Sequence, residues 1–324
     1  MKKHGLIAAF VVFALSVFLF AGCTGGADKK DEGGEGLTIV ATIFPEYDWA
    51  KNILGERAGE VSVKLLIHDG TDMHSFQPSA DDIIEISTCD IFIYVGGESD
   101  AWVKDALSEA VNEDMTVVNL MEVLGDAAKE EEAVLSTEPD GDGDEPEYDE
   151  HVWLSIKNAV IFCGAIEKAI SEKDPEYADV YAANAADYKE KLYALDEKYE
   201  ETIENAPGDT LLFGDRFPFR YLTEDYGLKY YAAFNGCSAE TEASFETVMF
   251  LSDKLKELNL PVVLTIDGGN ERLAQTIIET SGKDGVAVMS LDSMQASSNA
   301  DEERGLTYIS VMEQNLEVIK AALS

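Results

Sequence analysis

From Leu37 onward the apolar positions of this chain alternate between two patterns. Short continuous runs rich in Val, Ile and Tyr are followed by longer stretches in which apolar residues recur every three or four positions. Continuous runs bounded by turn residues mark strands buried on both faces, and the longer period marks amphipathic helices. Together they predict parallel sheets with crossover helices. In the first half LTIVATI, VSVKLLI, CDIFIYVG and MTVVNL are the expected strands, with helices around DWAKNILG, SADDIIEIS and SDAWVKDALSEAVN. In the second half DTLLFGD, LKYYAAF, PVVLTID and GVAVMSLD alternate with helices around FPFRYLTEDYG, EASFETVMFLSDKLKEL and NERLAQTIIETS, and SVMEQNLEVIKAAL closes the chain. The predicted fold class is α/β, with two similar lobes, each a mostly parallel four-stranded sheet with flanking helices.

Between the halves, Tyr177, Tyr181, Tyr188, Leu192, Leu195, Tyr199 and Ile203 recur at spacings of three, four and seven. They form one face of a single long helix, and Pro175 suits its first turn. At 1.5 Å per residue it is about 45 Å long, enough to join two lobes side by side. A rigid helix in place of loop hinges restricts large closure motions. The expected organisation is an N-terminal lobe over 37–174, a linking helix over 175–207 and a C-terminal lobe over 208–324.

The first 22 residues follow another pattern. Lys2 and Lys3 precede the run LIAAFVVFALSVFLFAG, which ends at Cys23. The run is shorter than the roughly 20 apolar residues of a spanning helix, and its basic start marks a secretory signal. The ending LFAGC resembles a bacterial lipobox, which implies cleavage before Cys23 and a diacylglycerol on its sulfur. The segment over 23–36 is glycine-rich and charged and cannot bury enough surface to fold, so it is expected to be a flexible tether. The protein is accordingly expected outside the cytoplasm, lipid-anchored at the outer face of the cytoplasmic membrane or periplasmic.

With 46% hydrophobic residues among 324, the chain has material for two real cores. Its 64 acids against 24 bases give a formal charge of -40, and loss of Lys2 and Lys3 with the leader deepens it. Such a field repels phosphate backbones, which excludes nucleic acid as a partner, and it concentrates cations. Acids dominate the stretch over 125–150, GDAAKEEEAVLSTEPDGDGDEPEYDE, which reads as an acidic loop. Its DGDGDE core lacks the spacing of a calcium loop. Beyond Cys23, Cys89 and Cys163 lie in apolar runs and read as core, while Cys237 in NGCSAETEAS is the accessible thiol.

Only four histidines are present. His74 lies in GTDMHSFQPS after the second strand, where a histidine can be a ligand, a base or an ordinary polar loop residue. Ser79 and Asp82 have the spacing of a reciprocal helix cap. His151 follows the acidic loop in DEHVWLS. The second lobe places Asp215, Glu240, Glu242, Asp267 and Asp292 after its own strands. A single aspartate there is also an ordinary turn residue, but several at consecutive strand ends suit a cleft, because open parallel sheets bind ligands beyond their carboxyl ends.

These residues carry a family resemblance. GTDMHSFQPS resembles the G-x-D-P-H-x-Y-x-P-T element, and EHVWLS the P-H-V-W-L-D element, of the metal-binding lipoprotein receptors of bacterial zinc and manganese ABC importers, the ZnuA/TroA-like periplasmic solute-binding family. SLDSM followed by GLTYISVMEQNLEVIKAAL is similar to their C-terminal pattern, so the similarity runs from Leu37 to the end. The resemblance implies a monomeric carrier rather than an enzyme, with a divalent metal held between two lobes and delivered to an ABC permease. Carried over, His74 and His151 would be ligands from the first lobe and Asp292 from the second. Where relatives have a third histidine or a glutamate, this chain has Arg216, which stays charged and cannot ligate. Asp215 is the leading replacement, Cys237, Glu240 and Glu242 are alternatives, and a water or open position is a further one; Arg216 itself would then pair with a neighbouring carboxylate.

Two histidines with carboxylates suit tetrahedral zinc and also a wider, oxygen-rich manganese site. Zinc-type relatives carry a charged insertion where this chain has its acidic loop, so Zn2+ is the expected metal and Mn2+ the alternative. A metallohydrolase would need a base such as Glu240 or Asp267, and the chain has neither an HExxH helix nor a G-x-S-x-G turn. The alternative function is a cell-surface adhesin or interaction lipoprotein on the same fold, which would not require the histidines.

Overall fold

All eight apolar runs form strands, in two separate sheets. The computed structural model describes residues 36–68, 70–131, 148–238, 242–296 and 305–324. The leader, Cys23, nearly all of the tether, the middle of the acidic loop and Glu240 lie outside the described residues. The first sheet contains β1 (Thr38–Ala41), β2 (Ser62–Leu65), β3 (Ile91–Tyr94) and β4 (Thr116–Asn119), in the order β2-β1-β3-β4. The second contains β5 (Thr210–Phe217), β6 (Lys229–Asn235), β7 (Val262–Ile266) and β8 (Ala287–Leu291), in the order β6-β5-β7-β8. Every pairing is parallel. The apolar pattern explains the positions: β7 is buried throughout, whereas the edge strand β2 alternates.

Helix boundaries depart from the periodicity where other constraints dominate. The first helix, α1 (Phe44–Leu54), starts earlier than DWAKNILG suggests, because Pro45 lies in its first turn and the Glu46 carboxyl group caps it. Oε2 of Glu46 accepts from the Thr42 amide and hydroxyl and from the Ile43 amide at 2.9, 3.0 and 3.2 Å. The helix expected over FPFRYLTEDYG shrinks to Arg220–Asp225, since β5 continues through Asp215, Arg216 and Phe217 with an irregularity between Phe213 and Arg216. The Ser79 and Asp82 cap forms as the spacing predicts.

The long helix Ala178–Glu204 follows a single 3-10 turn at Pro175–Tyr177 and spans 27 residues, or about 40 Å. Its buried face carries Tyr181, Ala185, Tyr188, Leu192, Leu195 and Tyr199. Hydrogen bonds tie it to both halves of the chain. Tyr188 donates to Asp48 at 3.0 Å and Asn184 to the Ile53 carbonyl at 3.0 Å. Tyr199 donates to the Met312 carbonyl at 2.6 Å in the C-terminal helix Tyr308–Ala322. That last helix returns to the first lobe, where Tyr308 packs edge-on against Trp49 and donates its hydroxyl to the Trp153 carbonyl at 2.8 Å. One apolar core therefore runs through both lobes, and a smaller one lies beneath Phe245–Glu257 and Arg272–Ser281 on the second sheet. The loops after β2, β3, β6 and β8 bring His74, Ser99, Cys237 and Gln295 to the carboxyl ends of the strands.

Glu46 is wholly buried. Burial, reinforced by Asp100, pushes its carboxyl from 4.5 up to about 8 against the hydrogen bonds from Ile43 and Thr42. The folded state thus keeps a proton that the unfolded chain has lost. The contribution to stability is full below pH 4.5 and is lost as pH rises through about 8. Urea unfolding at both ends of this window is expected to show wild type losing more stability than Glu46→Gln, by up to about 5 kcal/mol. Parallel pH profiles for the two chains would contradict the assignment.

Candidate metal centre

His74 is set by its turn. Asp72 caps the short 3-10 turn Met73–Ser75, its Oδ1 accepting the His74 amide at 3.0 Å. The imidazole Nδ1 lies 2.7 Å from the Ser99 hydroxyl and 3.1 Å from Glu150 Oε1. His151 is fully buried beside the ring of Trp153. Its backbone amide and its Nδ1 both meet Asp149 Oδ1, at 2.9 and 2.8 Å. Glycine is required opposite: a Cβ on Gly236 would come within 2.7 Å of His151 Cε1.

A carboxylate only accepts, so each Nδ1 carries a proton, and Nε2 is the nitrogen left for a cation when the imidazole is neutral. The two Nε2 atoms face one another at 3.3 Å. Cys237, in the loop after β6, brings a third donor, and one ligand atom from each of His74, His151 and Cys237 lies within 4.8 Å of the others. The cluster is ringed by charge. The Glu150 carboxylate accepts the Ser99 amide at 3.0 Å and its hydroxyl, and lies 3.5 Å from the Cys237 sulfur. Burial opposes its ionisation, but the hydrogen bond from His74, the charge of His151 and Ser99 outweigh burial and hold it at about 2. Burial likewise pushes His151 down, and Asp149 reverses this so that its proton is held more tightly than usual. The Cys237 thiol is pushed up by burial and further by Glu150, Glu131 and Asp149, so a cation must displace its proton to bind sulfur.

The other expected ligands are engaged elsewhere. Asp215 lies within β5, where Oδ1 accepts the Arg216 amide at 2.8 Å and Oδ2 the Ile266 amide at 3.3 Å, and it does not join the cluster. Asp292 Oδ1 accepts the Met294 amide at 2.8 Å and stands outside the cluster too. Asp267 holds Ser293, and Glu242 is exposed. Of the third-ligand alternatives among the described residues, only Cys237 meets the two histidines. Arg216 does form an ion pair, with Asp72 rather than a sequence neighbour, at 2.7 Å. Burial resists ionisation of Asp72, and the guanidinium outweighs it, so the turn bearing His74 is tied to β5. Asp149 and Glu150 went unrecognised as imidazole partners, although their adjacency to His151 in DEH was a usable signal. Ser99 and Gln295 had none, since only the fold brings them to His74.

Comparison with known proteins agrees with this architecture. The family described as ZnuA, zinc-uptake complex component A periplasmic, matches residues 39–322. The zinc-binding lipoprotein AdcA of Streptococcus pneumoniae serotype 4 is 31% identical over 325 residues, covering 99% of this chain and 61% of that protein, so the chain spans under two thirds of this relative. The high-affinity zinc uptake system protein ZnuA of Bacillus subtilis strain 168 is 28% identical over 314 residues, 96% of each chain. Among solved structures, the Zn(II)-bound ZnuA-like domain of Streptococcus pneumoniae AdcA superimposes with a TM-score of 0.70 at 29% identity, covering 89% of this chain and 99% of that domain. With the match extending from the first strand to the last helix, the chain belongs to the ZnuA family of periplasmic zinc-uptake components.

Proposed function

We propose that this protein is an extracytoplasmic receptor that captures a zinc ion with His74, His151 and Cys237 and delivers it to an ABC permease. The observation that carries this is the 3.3 Å between the two Nε2 atoms. Two nitrogens bound at about 2.05 Å to one tetrahedral zinc stand about 3.3 Å apart, so the imidazoles already hold the spacing zinc requires. The carboxylates on the opposite nitrogens orient the imidazoles and strengthen them as ligands once zinc displaces any proton on Nε2. A thiolate as third donor favours zinc over manganese, which prefers carboxylate, carbonyl and water oxygens. One named relative is a zinc-binding lipoprotein and another a high-affinity zinc uptake system protein, which supports the same cargo here. The leader and lipobox-like LFAGC support export and a lipid anchor at Cys23, which would keep a monomeric receptor close to its permease.

Zinc titration of the full chain in detergent, against a competing chelator, is expected to give one site that His74→Ala/His151→Ala abolishes. Retention of zinc binding and cellular zinc uptake by that double variant would exclude the receptor and leave the adhesin alternative. Cys237→Ser is expected to lower zinc affinity while changing manganese binding little, and equal losses for both metals would argue against a sulfur ligand. Asp149→Asn is expected to weaken zinc binding about tenfold, measured in the same competition.

A further inference from the structure

The connection from β6 to the helix Phe245–Glu257 carries Cys237 near its start. In a parallel sheet the helix after a strand begins at that strand's carboxyl end, so the first turn of this helix stands at the same end of the second sheet as the metal centre. The inner face of the helix is complete without that turn. Leu251 and Leu255 are buried in the smaller core, and Ser244 caps the helix by accepting the Thr247 amide at 3.0 Å. Phe245, the first helical residue, is nevertheless 78% exposed, and Met249 and Phe250 are each 37% exposed. A hydrophobic staple would pair the residue before the cap with the fourth helical residue, here Ala243 and Val248, so it does not account for Phe245. Phe245 and Met249 stand four residues apart on one helix face, and Phe250 adjoins them with its ring edge-on against Tyr231 of β6 at 5.7 Å. Because β6 is an outer strand, this apolar strip runs from the carboxyl end of the sheet toward its edge. Lys254 lies over the Tyr231 and Phe250 rings at 5.4 and 5.9 Å, its charge paired with Glu257 at 2.9 Å. Glu242, Glu246 and Asp253 flank the strip in sequence and are exposed. An exposed apolar strip with a charged rim marks an interaction site.

Resting on the zinc-receptor assignment above, we propose that Phe245, Met249 and Phe250 form a surface that docks on the permease, with Phe245 entering an apolar pocket surrounded by basic side chains. Charge selects this occupant. With 64 acids against 24 bases the chain repels an anionic lipid surface, and a second copy would set the acidic rim of one strip against that of the other. A partner whose apolar pocket carries a basic rim meets both features of the strip at once. A single exposed aromatic ring is also the kind of anchor that carries much of an interface's energy. Position agrees with charge. Phe245 follows Cys237 by eight residues, so a permease seated on it holds the segment that bears a zinc donor, at the end of the sheet where the metal centre lies.

The test replaces the receptor in cells that keep its permease and measures zinc uptake at limiting zinc, with the zinc affinity of each full chain measured in detergent. Phe245→Ser/Met249→Ser is expected to lower uptake about tenfold at unchanged zinc affinity, and Phe245→Leu, which keeps an apolar side chain, to retain most of it. Unchanged zinc affinity also reports an intact fold. Normal uptake by the double serine variant would overturn the proposal, as would a fall in its zinc affinity that matches the fall in uptake, which marks a role in holding the site. Self-association of wild type that the serine variant lacks would assign the strip to a second copy instead. Quenching of Phe245→Trp emission by brominated phosphatidylglycerol vesicles, beyond that of wild type, would assign it to lipid. Any of these results, with uptake lost in His74→Ala/His151→Ala, removes the docking surface and leaves the receptor standing. Uptake that survives in the double histidine variant refutes the receptor itself, and the surface with it.

Discussion

Two imidazole nitrogens meet across a gap of 3.3 Å, each with its other nitrogen held by a carboxylate. A proton on one of the two nitrogens can bridge that gap, and a cation that displaces it is held by both imidazoles. Much of the surrounding structure can be understood as what is needed to hold this arrangement. Asp149 and Glu150 come from consecutive residues yet serve different histidines, and glycine stands at 97 and 236 because a side chain there would strike Glu150 or His151.

The frame around the site is stiff. The long helix is bonded to the first lobe through Asp48 and to the C-terminal helix through Met312, and the C-terminal helix bonds back to Asp48 and Trp153. With one core running through both lobes, capture does not require a wide hinge motion. The groups that face the site are carried on short elements: the turn bearing His74, tied to β5 by the Asp72 and Arg216 pair, and the loop bearing Cys237. Arg216 thus contributes at the centre by positioning, through Asp72, a histidine that it cannot replace.

Local pattern was enough for the strands and the long helix, because strands covered by helices must be continuously apolar and a helix face must recur every three or four residues. The strands emerged within a few residues of the apolar runs, and the long helix followed its tyrosines and leucines. The site was only partly legible. His74 and His151 stand in quotable motifs, and the fold brings them together. Asp215 was favoured over Cys237 because it lies beside Arg216, but β5 continues past it and turns its carboxylate to backbone amides of its own sheet. Asp292 was favoured from its motif, and the structure uses an oxygen of it to close the turn that presents Gln295. In both cases adjacency in sequence could not reveal which of several polar residues at a strand end turns inward, because a bulge or one left-handed residue decides it.

X-ray absorption at the zinc edge of the loaded chain tests the centre most directly, since it counts sulfur neighbours independently of any substitution. One sulfur at about 2.3 Å with nitrogen and oxygen at about 2.0 to 2.1 Å, including the outer-shell signature of two imidazoles, is the expected result. A first shell of nitrogen and oxygen alone, or one lacking the imidazole signature, would contradict a zinc site built from His74, His151 and Cys237.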